Sequence, residues 1–211
     1  VIGATSTSFK FIEKIISVFC SRFSKADIRI VHVHSEPALI EMLKSGELDI
    51  VYAAHFGELF AEGLECEFIK KRRLLLSVYS SHPAVSRASI NSTERYPKIA
   101  LSEFKSDKFA ISSKILKSES NFKKIFENAG FTPQIFCDTS YLYVANTMVA
   151  AGLCVSFSFA QYVFETQKDY ITLFEVADEP LLDVSFSVVY KKPSKLAKEF
   201  IKMIKAGKSG E

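Results

Sequence analysis

The stretch Val1-Ile2-Gly3-Ala4-Thr5-Ser6-Thr7-Ser8 sets the reading of everything after it. The apolar run over 1–4 predicts a short buried strand. The hydroxyls that follow are suited to cap a helix. Ile12, Ile15, Ile16, Phe19 and Phe23 then recur at helical spacing, which predicts an amphipathic helix over 9–23. Ile28 and Ile30, with alternating partners, predict a strand within 27–34. Ser35 is the next N-cap candidate, and Pro37 is tolerated in a first turn. Leu39, Ile40 and Leu43 form an inward stripe, and Gly46 supplies a stop. Residues 48–52 predict a further strand. The order is β-α-β-α-β, which calls for a parallel sheet with right-handed crossovers and an α/β fold.

A second α/β series lies further on. Residues 74–79 predict an apolar strand that runs into the polar break Ser80-Ser81-His82-Pro83. After an irregular stretch to Tyr96, residues 109–111 predict a strand ending in Ser112-Ser113. Phe122, Ile125 and Phe126 face inward on a helix over 121–128 that Gly130 ends. Residues 134–137 predict a strand. Asp138-Thr139-Ser140 are placed to cap a helix carrying Leu142, Ala145, Met148 and Val149, closed by Gly152. Strands over 153–157 and 184–190 follow. A helix over 195–205 then has Leu196, Phe200 and Ile204 on one face.

Composition narrows the class. The chain has 211 residues, Lys+Arg 27 against Asp+Glu 24, and a formal charge of +3. Nearly half of it is apolar, which excludes intrinsic disorder, a collagen-like repeat and a coiled coil. So small a positive excess also argues against an autonomous nucleic-acid binder. Cys20, Cys66, Cys137 and Cys154 are widely spaced with no CxxC pair. They read as reduced, core or half-buried thiols, which favours the cytosol. No signal peptide is visible, and no apolar run is long enough to span a membrane. The chain opens without an initiator Met, so a fragment of a longer protein is expected.

Polar strand ends recur in both series: Thr5–Ser8, Ser35, Ser112-Ser113 and Thr139-Ser140. Ligands of open α/β sheets sit outside the C-terminal ends of strands. Helix starts there offer free N–H groups to a small carboxylate or similar anion. N-capping alone explains any single one of these hydroxyls.

Other constellations are weaker. His32 and His34 lie two apart on one strand face, a spacing usable for a metal, but no complementary carboxylate or thiol stands nearby in sequence. Asp49 and His55 resemble half of a catalytic triad, yet no nucleophile elbow accompanies them. Glu13, Glu36, Glu41 and Glu47 read as helix-surface or cap residues. Lys70-Lys71-Arg72-Arg73 is a compact basic run before an apolar strand, where charges usually serve solubility. The lysines from Lys195 to Lys208 read as a solvated helix face. No glycine-rich phosphate loop appears.

Several stretches, in order, resemble the effector-binding (substrate-binding) domain of LysR-type transcriptional regulators. They are Ile2-Gly3-Ala4 before hydroxyls and an apolar helix, and the helix running from Ser35 into Gly46-Glu47-Leu48-Asp49-Ile50. His82-Pro83 after an apolar strand, the helix before Gly130-Phe131-Thr132-Pro133, and Val149-Ala150-Ala151-Gly152-Leu153 continue the pattern. Val188-Val189-Tyr190-Lys191 and the helix with Phe200-Ile201 close it. Cys154 stands where the family commonly has a second Gly, and Phe159 where it usually has Pro; both are expected at a strand end facing the cleft.

The resemblance implies a two-lobe, type-two periplasmic-binding-protein-like fold. Lobe one would comprise 1–80 plus 163–211, and lobe two 81–162, joined by two crossover strands. An effector would lie between the lobes. Carried over by position, its ligand-binding residues would be Thr5, Ser6, Thr7, Ser35, Ser112, Ser113, Thr139 and Ser140. The implied function is non-enzymatic sensing of a small, anionic effector in the cytoplasm, without cofactor or catalytic residue, through a shift of conformational populations. DNA would be met only through an N-terminal domain that this chain lacks. The family's side-by-side homodimers or homotetramers would place Phe11 and Phe126 at an interface. A transport solute-binding protein of the same architecture is the alternative, and an enzyme on this scaffold the third.

Overall fold

The computed structural model describes residues 1–33, 36–57, 59, 62–89, 95–112, 121–177 and 182–207. Packing divides the chain into two compact units, Val1–Arg72 with Val184–Glu211, and Arg73–Asp183. The chain therefore passes between units twice, at Arg72/Arg73 and at Asp183/Val184. The boundaries near 80 and 163 drawn from the resemblance both fall inside the second unit. The reason is strand pairing: residues 75–79 and 171–176 hydrogen-bond with each other and with strands of that unit.

The first unit is built on β1 (Ile2–Ala4), β2 (Ile30–His32), β3 (Ile50–His55), β4 (Glu65–Arg73) and β11 (Asp183–Tyr190), ordered β2-β1-β3-β11-β4. β1 pairs in parallel with β2 and β3, and β11 is antiparallel to β3. One sheet face buries Val51, Ala53 and Val189 under Leu39, Ile40 and Leu43 of α3 (Glu36–Ser45). Gly3 permits that approach, because a Cβ there would stand 2.5 Å from Leu48 Cδ1 and 2.9 Å from Leu39 Cδ2. By strand alternation the other face presents Tyr52 and Phe186. That face takes Phe11, and beyond it Phe19 of α2 (Glu13–Arg22) packs on Phe200 of the C-terminal helix, ring centroids 5.0 Å apart.

The second unit holds β5 (Leu75–Tyr79), β6 (Lys98–Ile99), β7 (Lys108–Ala110), β8 (Gln134–Cys137), β9 (Val155–Ser158) and β10 (Ile171–Val176), ordered β6-β10-β5-β9-β7-β8. α4 (Asn121–Asn128) buries Phe122, Ile125 and Phe126, and α5 (Leu142–Ala150) buries Ala145, Asn146 and Val149. Asn146 is a polar group at the centre of this core. It accepts from Ser77 Oγ at 3.0 Å and donates to Ser158 Oγ at 2.9 Å and to the Tyr162 carbonyl at 2.8 Å.

Several expectations are corrected. The helix spaced over 9–23 is two pieces, α1 (Ser6–Phe9) and α2, because the amides of Phe11 and Ile12 bond three residues back, to Ser8 and Phe9, and tighten the turn. That turn swings Ile12 fully into the core. The helix after Ser140 starts at Leu142 with Tyr141 as N-cap. On the C-terminal helix, α6 (Lys195–Ala206), Ala197, Phe200, Ile201 and Ile204 face inward, while Leu196 is exposed. The four cysteines are free, but Cys20 and Cys66 are exposed rather than half-buried. The basic run 70–73 is not a flank: it is the second half of β4.

Candidate functional site

In the first unit the hydroxyl turn closes on itself and on the sheet. Thr5 is the N-cap of α1 without a side-chain cap bond; its hydroxyl donates to Ser8 Oγ at 3.1 Å. Ser8 is fully buried and donates to the Tyr52 carbonyl at 2.7 Å, clamping the turn to β3. Thr7 is half-buried beside it. Ser35, Ser113 and His34 lie outside the described residues, as does the side chain of Ser6. Thr5 and Thr7 are thus brought to the end of β1, on a turn whose geometry Ser8 fixes. Ser8 is absent from the predicted set, although its position three residues after Thr5 is the spacing of a capping pair.

Further along β3, His55 is buried, and its Nε2 lies 2.9 Å from Ser187 Oγ of β11. Among the described residues its Nδ1 has no hydrogen-bond partner. Burial lowers the His55 pKa; the Gly57 backbone, near but outside hydrogen-bond geometry, opposes this weakly. Partial desolvation also raises the thiol of the otherwise exposed Cys66, which Ser187 opposes and the Glu36 charge reinforces, and burial raises the Glu36 carboxyl. Asp49, the other half of the triad-like pair, stands just before β3, at the end away from His55, where its amide donates to the Val1 carbonyl. The neutral imidazole favoured by the fold has a thermodynamic consequence. Above pH 6.5 both folded and unfolded His55 are neutral. As pH falls through 6.5 and on to the lower folded value, only the unfolded chain gains the proton, so stability is lost. Thermal melts of the wild type and His55→Asn between pH 8 and 5 should show a steeper acid-side fall in the wild type. Parallel curves would exclude this role.

In the second unit, Ser112 is buried just past the end of β7, and Thr139 and Ser140 are half-buried after β8. Thr139 Oγ1 accepts from the Tyr141 amide at 3.1 Å, so it tethers the approach to α5 without entering its first turn. Cys154 and Phe159 are buried. Cys154 packs with Ala110, Ala145, Val149 and Ile171, and burial, reinforced by Cys137, pushes its thiol up to about 11. It is a space-filling, unreactive thiol. Phe126 lies wholly in the core, 5.1 Å from Phe109 and 5.3 Å from Phe131 between ring centroids. The outer face of α4 is left to Lys123, Lys124, Glu127 and Asn128. Phe126 is therefore corrected from interface to core residue. Phe11 is half-buried, its ring 4.4 Å from that of Phe186. Among the described residues, no group of three or more His, Cys, Asp or Glu is placed to hold a metal, and no helix is long and apolar enough to cross a membrane.

Two mixed sheets flanked by helices, with small hydroxyl side chains at strand ends, define the two-lobe periplasmic-binding-protein-like class. Within it the family is specific: the LysR substrate binding domain matches residues 1–208, and the chain belongs to that family. Solved structures share the fold. The CcmR regulatory domain of Synechocystis PCC6803, in complex with 2-PG, is similar with a TM-score of 0.77 and 13% identity, over 99% of this chain and 96% of that one. The BenM effector binding domain with its effector benzoate gives 0.72 and 17%, over 97% and 89%. HinK, a LysR family transcriptional regulator from Pseudomonas aeruginosa, gives 0.72 and 17%, over 97% and 68%. No curated protein sequence matches the chain.

Proposed function

We propose that this chain is the effector-sensing part of a bacterial transcription regulator, and that it binds a small molecule without transforming it. The observation that carries this is the family match over residues 1–208. The residues proposed to take the ligand are Thr5, Ser6, Thr7 and Ser35 in the first unit, and Ser112, Ser113, Thr139 and Ser140 in the second. Their short hydroxyl side chains donate and accept; Thr5 and Thr7 stand on the turn held by Ser8, and Ser140 on the approach to α5 tethered by Thr139. The proposed ligand is a carboxylate or another small anion, as expected of polar strand ends rich in donors. BenM binds benzoate and CcmR 2-PG, which supports small-molecule sensing as the reading. In the full-length protein the chain would act in the cytoplasm as a homodimer or homotetramer. DNA would be met by a separate N-terminal domain, as the complex of full-length CbnR with its target DNA suggests. Ligand binding would control transcription by favouring one conformational population.

The test is a ligand-shift thermal melt of the chain against small organic acids, phosphates, amides and sugars. At least one class should raise the melting point in a saturable way. Thr7→Val and Ser112→Ala should then each weaken binding about tenfold, the worth of one hydrogen bond to a charged group. If no compound in the panel shifts the melt, the sensing function fails.

A further inference from the structure

The positive charge of the chain is concentrated in one segment. Residues 191–205 hold six lysines and one glutamate, a formal charge of +5. Taken from totals of 27 Lys+Arg and 24 Asp+Glu, that leaves 21 against 23, a charge of −2, for the rest of the chain. The fold gathers these lysines on one surface of the first unit. Ala197, Phe200, Ile201 and Ile204 turn α6 inward, which leaves Lys195, Lys198, Lys202 and Lys205 as an outer stripe. At a rise of about 1.5 Å per residue the stripe is about 15 Å long. Lys191 and Lys192 follow directly on β11, and all six lysines are exposed. Beside the stripe runs an open groove of about 530 Å³. It is lined by Lys191, Lys192, Lys198, Lys202 and Lys205 and, on the β4 side, by Glu65 and Glu67. The carboxylates do not cancel this charge. One Glu67 oxygen accepts from the Tyr190 hydroxyl at 2.5 Å and the other from Lys205. Glu199 pairs with Lys202 at 2.7 Å and lies within the fields of Lys195 and Arg22. Among the described residues Lys191, Lys192 and Lys198 have no ion-pair or hydrogen-bond partner, and Glu65 is the one lining carboxylate without one.

We infer that this stripe and groove form a contact for the phosphate backbone of duplex DNA, independent of base sequence and additional to the separate DNA-binding domain proposed above. It stands or falls apart from the sensing function. Lysine is a point charge that suits phosphate without fixing its orientation. Duplex DNA offers one negative charge per about 1.7 Å of axis, so a line of cations about 15 Å long lies against about nine. A protein partner fits less well. Protein interfaces are depleted in Lys and anchored by Tyr, Trp and Arg. The segment 191–205 has no Arg, and its one aromatic ring, Phe200, is buried. The slightly negative remainder of the chain keeps the contact weak when the chain is alone. In a regulator whose reading domain already holds DNA, the contact acts at a high effective concentration.

The experiment follows the fluorescence anisotropy of a labelled duplex of about 30 bp, titrated with the 211-residue chain at several salt concentrations. One variant joins Lys192→Gln with Lys198→Gln, and a charge-preserving one joins Lys192→Arg with Lys198→Arg. A third, Lys123→Gln with Lys124→Gln, removes the same charge from the outer face of α4 in the second unit. Thermal melts of each variant check folding. At about 20 mM salt the wild type should bind with a Kd of about 10–100 µM. Its log K should fall against log salt with a slope of about −4 to −5, as for about four to six phosphate contacts. Duplexes of unrelated sequence should bind alike. The groove Gln pair should lower the slope by about 2 and weaken binding at least about tenfold, while the Arg pair and the α4 pair stay within about threefold. A polyglutamate of matching charge should bind at least about tenfold more weakly than DNA. No binding at the lowest salt overturns the inference. So does an equal loss in the α4 variant, which would make net charge rather than this surface the cause. Polyglutamate binding as tight as that of DNA also overturns it, and assigns the surface to an acidic protein.

Discussion

Replacing Asn146 by leucine lowers the stability of the chain by about 3–5 kcal/mol, the cost of breaking a fully buried polar network. The carboxamide is fully buried in α5 and spends both ends at once. Its oxygen takes the Ser77 hydroxyl of β5, and its nitrogen serves both Ser158 Oγ of β9 and the Tyr162 carbonyl. Leucine fills a similar volume but takes the acceptor from the Ser77 hydroxyl and the amide donor from Ser158 Oγ and the Tyr162 carbonyl in a dry core, where Ser158 keeps only its bond to the Phe159 carbonyl at 3.2 Å. Each unpaired group costs about 1–3 kcal/mol. Asn146→Asp is no remedy, since a carboxylate lacks the donors that Ser158 and Tyr162 require. Urea unfolding followed by circular dichroism checks the value. A loss below about 1 kcal/mol would mean that the network is not assembled as described. The triple variant Asn146→Leu, Ser77→Ala, Ser158→Ala should recover part of the loss, because it removes the orphaned hydroxyls along with their partner.

Phe126→Ala costs about 3–5 kcal/mol, the range for a buried phenylalanine truncated to alanine. Its ring is 2% exposed and meets Phe109 nearly at right angles, with Phe131 and Phe157 closing the other sides. The loss should appear in denaturant melts at every protein concentration. Phe126→Leu should lose less than half as much, since it refills most of the cavity. An interface residue would behave differently, shifting the oligomeric state in sedimentation with little change in the stability of the monomer. On α4 such behaviour belongs to the outer face, where Lys123 pairs with Glu127 at 3.5 Å.

Much of the fold was legible because burial wrote it as periodicity. The inward stripe Leu39, Ile40 and Leu43 and the stops at Gly46 and Gly152, both at positive φ, stand where the spacing put them. What escaped did so for identifiable reasons. β4 is an edge strand whose charges hide its alternation, so Lys70–Arg73 read as a flank. β10 carries half-buried positions that blur the period of two. The helix break at residues 10–12 accompanies a tertiary bond, Ser8 to the Tyr52 carbonyl, that no local pattern encodes. The candidate site was legible as strand-end hydroxyls. The helix-start logic behind it was too generous, since α1 is four residues long and Thr139 sits ahead of its helix. His55 was weighed only as half of a triad, because its partner Ser187 lies on the far side of the sequence.

The two passages of the chain between its units impose an order on assembly. The second unit is one unbroken run, Arg73–Asp183, and every strand it needs is present once that run leaves the ribosome. The first unit is different: β11 must slot between β3 and β4, and it is translated after the whole second unit. Until then β3 and β4 have bare inner edges, one of them strongly apolar. Closing that gap spans a long loop of intervening chain, a step that is slow and exposed to mispairing unless the loop is already compact. The nested unit thus serves as a folded spacer that shortens the search of the last strand for its place, and nascent chains halted between residues 184 and 190 would be the ones most prone to aggregate.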